Sequence, residues 1–230
     1  MQIKYSIILP CYNEFGNLKL LIPKILKLMR GKNFEVLVVD DNSSDQTIKK
    51  LREIFKNKMI KYFIRKKNRS LGLSIKEGVE RAQGVYVIVM DTDFNHKPND
   101  LKIMLSFFEA NKIDMVCGSR FIKGGYSSSA FRHFSSLIFN SFLNFITRGN
   151  LSDNLSGFFI LKKKLISKPF NKIFYGYGEY YIRLLYFLQK KKIIIKEVPV
   201  TYGKRKYGVS KSKLIKMLFT YTFHAIKLVI

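Results

Sequence analysis

The chain has 230 residues, with 42 Lys plus Arg against 16 Asp plus Glu, and so a formal charge of +26. At 47% hydrophobic and 14% aromatic residues it is too apolar for a disordered basic tail, and long enough to bury one sizeable α/β core. It has no uncharged apolar run of about 18 residues and no secretion signal at its start, and its two cysteines, Cys11 and Cys117, read as reduced thiols.

The hydrophobic pattern predicts a buried strand over residues 3–9, ending at Pro10. An amphipathic helix over 17–30 follows, stopped by Gly31. A second strand covers 34–39 and runs into Asp40-Asp41, after which Ser44-Asp45-Gln46-Thr47 caps a helix to about Phe55. Then come a strand over 59–64, a helix over 71–83 closed by Gly84, and a strand over 85–90 ending at Asp91. A helix over 98–111 and a strand over 114–117 close the regular part. Uniformly apolar strands alternating with helices predict a mostly parallel sheet covered on both faces, with ligands gathered beyond the carboxyl ends of the strands.

The second half is less regular. Residues 132–147 form a helix with polar positions at 136, 140, 141, 144 and 147, opposed by Phe134, Ile138, Phe142 and Phe145. Residues 213–230 repeat the pattern, with Lys213, Lys216, Thr220, His224 and Lys227 in one stripe. Such helices either pack on a core or lie flat in a membrane interface. We therefore expect a catalytic unit over 1–212, including the 132–147 helix, and a C-terminal amphipathic helix over 213–230.

The charge is uneven. From residue 154 to the end there are 17 Lys or Arg but only Glu179 and Glu197, whereas the Asp residues cluster at 40–45 and at 91–93. Both clusters stand at strand ends, where bare carboxylates are costly unless a cation or water compensates. Asp91 and Asp93, two residues apart, can reach one hard divalent ion, with the Asn95 side-chain oxygen one step further; the plainer alternative is an Asx-turn before Pro98. His96, His133 and His224 show no metal-ligand spacing and read as structural.

Pro10-Cys11-Tyr12-Asn13-Glu14, Val38-Val39-Asp40-Asp41 and Asp91-Thr92-Asp93, in this order and spacing, resemble family 2 glycosyltransferases of the GT-A fold. Leu71-Gly72-Leu73-Ser74, Gly118-Ser119-Arg120-Phe121, Asp153 through Phe158, and Glu197-Val198-Pro199-Val200 followed by Arg205, Gly208, Ser210 and Lys211 are similar to the dolichol-phosphate mannose synthase branch. Asn95 stands where that branch usually has Gln, Asn42 where it has Gly, and Ser74 where it has Ala.

The resemblance implies an inverting transfer of a sugar from a nucleotide to a polyprenyl or dolichyl phosphate. Mannose from GDP-mannose is the first expectation, and UDP-glucose or another UDP-sugar the alternative. It places the nucleotide-sugar on Pro10, Tyr12, Glu14, Val39, Asp41 and Asp91, and Mg²⁺ or Mn²⁺ on Asp91, Asp93 and Asn95. The acceptor phosphate falls to Arg120, Arg132, Ser135, Arg205 and Lys211, and Asp93, Arg120 and Asp153 form the catalytic group; Asp153 orients the acceptor or an arginine. A lipid-borne acceptor implies peripheral binding at the cytoplasmic face of a membrane with anionic lipids, alone or with a membrane-embedded partner subunit. A basic nucleic-acid-binding protein is the reading from a different class; it leaves the paired acids unexplained and lacks the aromatic-and-basic sheet surface of single-strand binders.

Overall fold

Seven strands form one sheet in the order β3-β2-β1-β4-β7-β5-β8. β1 (Tyr5–Cys11) lies between β2 (Phe34–Asp40) and β4 (Tyr86–Val89), and β3 (Ile60–Ile64) is the edge beyond β2; all these pairings are parallel. β7 (Phe159–Lys162) is inserted antiparallel between β4 and β5 (Met115–Ser119), and β8 (Ile195–Pro199) pairs parallel with β5. The architecture is the expected α/β one, with β7 the antiparallel exception. The computed structural model describes residues 2–127, 130–166, 170–191, 193–203, 207 and 214–230.

All seven residues of β1 and of β2 are buried, because helices cover both faces of the sheet. On one face Tyr5, Ile7 and Leu9 pack with residues of α1 (Phe15–Leu28), α2 (Thr47–Ile54) and α4 (Pro98–Ala110). On the other, Ile8, Leu37 and Val39 meet α3 (Leu71–Arg81) and α7 (Glu179–Lys190). That alternation is the period-two consequence of a strand buried on both sides. α3 comes close to β1 at Gly78, where an added Cβ would stand 2.5 Å from Ile8. β1 continues through Pro10 to Cys11, past the expected stop, because the ladder with β2 runs on beyond it: the Cys11 carbonyl accepts the Asp41 N–H at 2.9 Å, while the Pro10 carbonyl faces Thr92 on the other side.

The remaining elements are β6 (Tyr126–Ser127), α5 (Ala130–Thr147), α6 (Phe170–Ile173), β9 (Thr201–Tyr202) and α8 (Leu214–Val229), with β6 and β9 forming a separate parallel pair. α5, α7 and α8 share a small core of Leu143, Ile182, Tyr221 and Ala225. Beside this core, which Phe139 and Ile146 of α5 also pack against, other aromatics are left outside. Phe145 is 82% and Phe134 65% exposed, and α8 adds Phe219 at 75% and Phe223 at 63%. The polar side of α5 faces in: Asn140 is buried, its Oδ1 accepts from the Asn154 amide at 2.6 Å, and Asn144 Nδ2 donates to the Leu151 carbonyl at 2.7 Å. No described helix is long and apolar enough to cross a membrane.

Candidate functional site

Six of the seven strands run in one direction and end on one side of the sheet, and the loops leaving them build a crevice there. After β1 and β2, two loops are stitched together. Asn13, in the left-handed region at φ 54°, takes the Ser43 hydroxyl with its own N–H at 2.7 Å. Its side-chain oxygen accepts from the Ser44 and Asp45 amides at 2.9 and 3.3 Å. Asp40 is spent inside this stitch, accepting from the Ser43 N–H at 2.9 Å and from the Cys11 thiol at 3.4 Å.

Asp41 is the acid that faces the crevice. Its Oδ1 receives Arg65 at 2.6 Å and its Oδ2 the Ser70 N–H at 2.6 Å. Burial raises its pKa, against the lowering effect of Ser70, Arg65 and Arg69. A cavity of about 260 Å³ opens beside it, lined by Asp41, Asn42 and residues 65–69. The Arg69 guanidinium lies 3.8 Å from the centre of the Tyr12 ring, closing one wall. Glu14 is buried and accepts from Asn17 at 2.6 Å. Pro10 and Val39 are buried as well. Both sit within paired strands, and Val39 packs in the core on the α3 side of the sheet.

The D-x-D turn leaves β4 next to this cavity's strands. The Asp91 side chain is 41% exposed, whereas Asp93 is buried. Asn95 turns back on Asp93: its N–H reaches Asp93 Oδ1 and its Nδ2 reaches Oδ2, each at 3.0 Å. The short Asn side chain therefore holds the carboxylate by its amide nitrogen. His96 stands behind the turn, with Nδ1 accepting the Asp91 N–H at 2.8 Å. Burial pushes this imidazole down to about 4, so it adds no positive charge beside the acids. Among the described residues no three His, Cys, Asp or Glu close into a metal-binding cluster. The turn carries two carboxylates and an amide, hard-oxygen donor types of the kind Mg²⁺ and Mn²⁺ take, with Asp91 exposed and Asp93 buried against Asn95.

The third part comes from the loops that follow β5 and precede β7. Asp153 grips Arg120 by two side-chain bonds of 2.8 Å, from Nε and from NH2, and also takes the Arg120 N–H at 3.1 Å. Burial by itself would lower the arginine's pKa, but Asp153 outweighs it and the guanidinium stays charged. Glu197 on β8 holds the Asp153 loop by the amides of Ser152 and Asp153 at 2.8 and 3.0 Å. Arg120 rests on the Tyr202 ring, 4.5 Å from its centre. Asp153 is thus paired with an arginine in the structure. Ser135 is half-buried in the second turn of α5. The Arg132 side chain, Arg205 and Lys211 lie outside the described residues.

Sequence reasoning missed Arg65, Arg69, Ser70 and Tyr202, gave Glu197 no role beyond its place in a motif, and set His96 aside. Arg65 and Arg69 follow directly after β3, so the strand-end rule applied to the third strand would have found them. Glu197, Tyr202 and His96 act across the fold and leave no local signal.

The family model for glycosyl transferase family 2 matches residues 6–170. The chain is 31% identical over 240 residues to a dolichol-phosphate mannosyltransferase of Pyrococcus furiosus, covering 98% of this chain and 64% of that protein. It is 27% identical to the Saccharomyces cerevisiae dolichol-phosphate mannosyltransferase, covering 92% of this chain and 82% of that one. A dolichyl-phosphate beta-glucosyltransferase of Dictyostelium discoideum is 25% identical, with 87% of this chain and 67% of that protein covered. Among solved structures, glucosyl-3-phosphoglycerate synthase from Mycobacterium tuberculosis, in complex with Mn²⁺, UDP and glucosyl-3-phosphoglycerate, superposes with a TM-score of 0.76 at 16% identity. That match covers 99% of this chain and 80% of the other, and shows the fold. The chain spans less than two thirds of the Pyrococcus relative's length.

Proposed function

The chain belongs to glycosyl transferase family 2, and from that premise we propose that it moves a sugar from a nucleotide-sugar to a polyprenyl or dolichyl phosphate with inversion. The observation that carries this reading is two oppositely charged groups beyond neighbouring strand ends, joined by one support: the Asp91–Asp93 turn is bonded to His96, His96 to Tyr202, and the Tyr202 ring carries the Asp153-held Arg120. Mannose from GDP-mannose is the first choice, supported by the two mannosyltransferase relatives. UDP-glucose is the second, supported by the beta-glucosyltransferase.

The acceptor needs little activation. A phosphate monoester has a second pKa near ~6, so it is already a doubly anionic nucleophile at neutral pH, and no strong general base is required. The protein's part is positioning and charge management. The cavity beside Asp41 takes the base, with Tyr12 and Arg69 as one wall; Asp91 and Asp93, with the Asn95 oxygen, hold Mg²⁺ or Mn²⁺. When bound, that ion supplies positive charge to the departing diphosphate. Asp153 keeps Arg120 aimed by its Nε and NH2 edge, leaving NH1 for the acceptor phosphate, with Arg132, Ser135, Arg205 and Lys211 as further donors. Attack in line from the face opposite the nucleotide inverts the anomeric carbon in a single displacement.

A prenyl chain keeps its phosphate at a bilayer, which gives the outward aromatics of α5 and α8 a use. With the chain's net charge of +26, they favour peripheral attachment to an anionic cytoplasmic leaflet, alone or beside a membrane-embedded partner. The test is incubation with Mg²⁺ or Mn²⁺, a short polyprenyl phosphate and either GDP-mannose or UDP-glucose, followed by recovery of a charged glycolipid. Product from one donor fixes the sugar. No product from any donor, together with salt-sensitive DNA binding, would replace this reading with a nucleic-acid one.

A further inference from the structure

His96 has no assigned task, yet its ring is 1% exposed and every edge of it is used. One face stacks on Phe158, with centroids 4.5 Å apart and planes 11° from parallel, and Tyr202 meets it edge-on at 5.1 Å. Because Nδ1 accepts the Asp91 N–H, the proton of the neutral ring sits on Nε2. Nε2 then donates toward the Tyr202 oxygen at 2.7 Å and the Ser156 carbonyl at 3.1 Å. The Tyr202 hydroxyl itself donates to the Ser156 carbonyl. The same strand end is tied to the turn a second time, since the Gly203 N–H donates to the Asn95 carbonyl at 3.2 Å. Phe94, between Asp93 and Asn95, sits at φ 68°, a left-handed conformation that a bulky residue adopts only when its surroundings impose it.

We propose that His96 is a positioning residue for the D-x-D turn: Nδ1 fixes the Asp91 peptide, Nε2 anchors that peptide to Ser156 and Tyr202, and the ring thereby sets the turn's affinity for its divalent ion. The proposal rests on the metal-bearing reading of the turn. It also extends to the far wall, because the Tyr202 ring that receives Nε2 carries Arg120 on its face. The two walls of the crevice thus share one buried support.

The two ring nitrogens can be removed separately. In His96→Asn the side-chain oxygen stands where Nδ1 was and keeps the acceptor for Asp91. In His96→Gln the side-chain nitrogen stands where Nε2 was and keeps the donor for Ser156 and Tyr202, but the Asp91 N–H loses its partner. Mn²⁺ binding is read by electron paramagnetic resonance with GDP, and separately UDP, present and with no sugar donor or acceptor, alongside a thermal melt of each protein. Both variants lose ring packing and melt lower. His96→Gln is expected to weaken Mn²⁺ binding about tenfold or more, and His96→Asn less than about threefold. In turnover, His96→Gln is expected to recover at raised Mn²⁺ with the acceptor KM unchanged. Equal weakening in both variants, or lowered melting with Mn²⁺ binding untouched in both, overturns the positioning role and leaves His96 as packing. Wild-type protein that binds no Mn²⁺ with either nucleotide overturns the metal reading itself, and this proposal with it.

Discussion

The crevice end of the sheet and the outer face of α5 and α8 use opposite rules. At the crevice, apolar side chains are buried on both sides of the strands and the charged groups gather where the strands stop, each held by a named partner. On α5, Asn140 is buried and Asn144 half-buried, while Phe134, Phe142 and Phe145 face out. A buried polar face is stable because its hydrogen bonds are complete: Asn140 and Asn144 hold the loop that ends at Asp153. Among the described residues the aromatic face has no such closure, and the proposed function gives it to a bilayer. Apolar content that builds a fold in one region is left exposed in the other.

The comparison breaks first at Asp153. Asp153→Ala leaves Arg120 buried without its carboxylate, and is expected to cost about 3–5 kcal/mol in urea unfolding; a loss below about 1 kcal/mol would show the pair to be solvated. Two neighbours on α5 sharpen it next. Leu143→Ala removes a fully buried side chain and is expected to cost about 2–5 kcal/mol. Phe142→Ser with Phe145→Ser should stay within about 1 kcal/mol in stability while weakening co-sedimentation with anionic vesicles. Vesicle binding that survives the pair assigns attachment to another face. At the crevice, Asp93→Ala is expected to lower glycolipid formation at least about a hundredfold, about 2.7 kcal/mol of barrier, in a protein that still folds; normal turnover would remove the metal assignment.

The smallest effect is a pH slope at the seam between the two regions. His224 on α8 faces Glu179 at 4.0 Å and Arg183 from α7, Tyr175 from the preceding loop, and Phe223 and Lys227 of its own helix. Burial, then Arg183, lowers its pKa below the ordinary 6.5. The unfolded chain thus binds the proton more readily, so this stability is present above about pH 6.5 and is lost as pH falls below it. His224→Gln should flatten the melting temperature between pH 7 and 5; an unchanged slope assigns it to other groups.

Much of the parallel half was legible because strand, turn and helix each leave a local pattern: the strand bounds fall within a few residues of expectation, and Asp41, Asp91 and Asp93 stand out as acids at strand ends. The antiparallel β7 was not legible, since a four-residue apolar strand that enters between two others depends on distant neighbours. Nor was the bond between Arg120 and Asp153, which are 33 residues apart, or the role of His96, whose partners lie 60 and 106 residues away. Periodicity did separate the two faces of α5, but it cannot say which face a core takes when one is aromatic and the other is asparagine.

The α3 glycine at position 72 leaves a last consequence. Its N–H donates to the Gly176 carbonyl at 2.9 Å, the Ser70 hydroxyl donates to the same oxygen at 2.6 Å, and a Cβ at 72 would stand 2.6 Å from the Tyr175 carbonyl carbon and oxygen. The segment that supports Asp41 and the one that leads into Glu179 are thereby in backbone-to-backbone contact, with no side chain between them to act as a cushion. A single methyl at position 72 would wedge that joint open, so the tolerance for change there is set by clearance and not by chemistry.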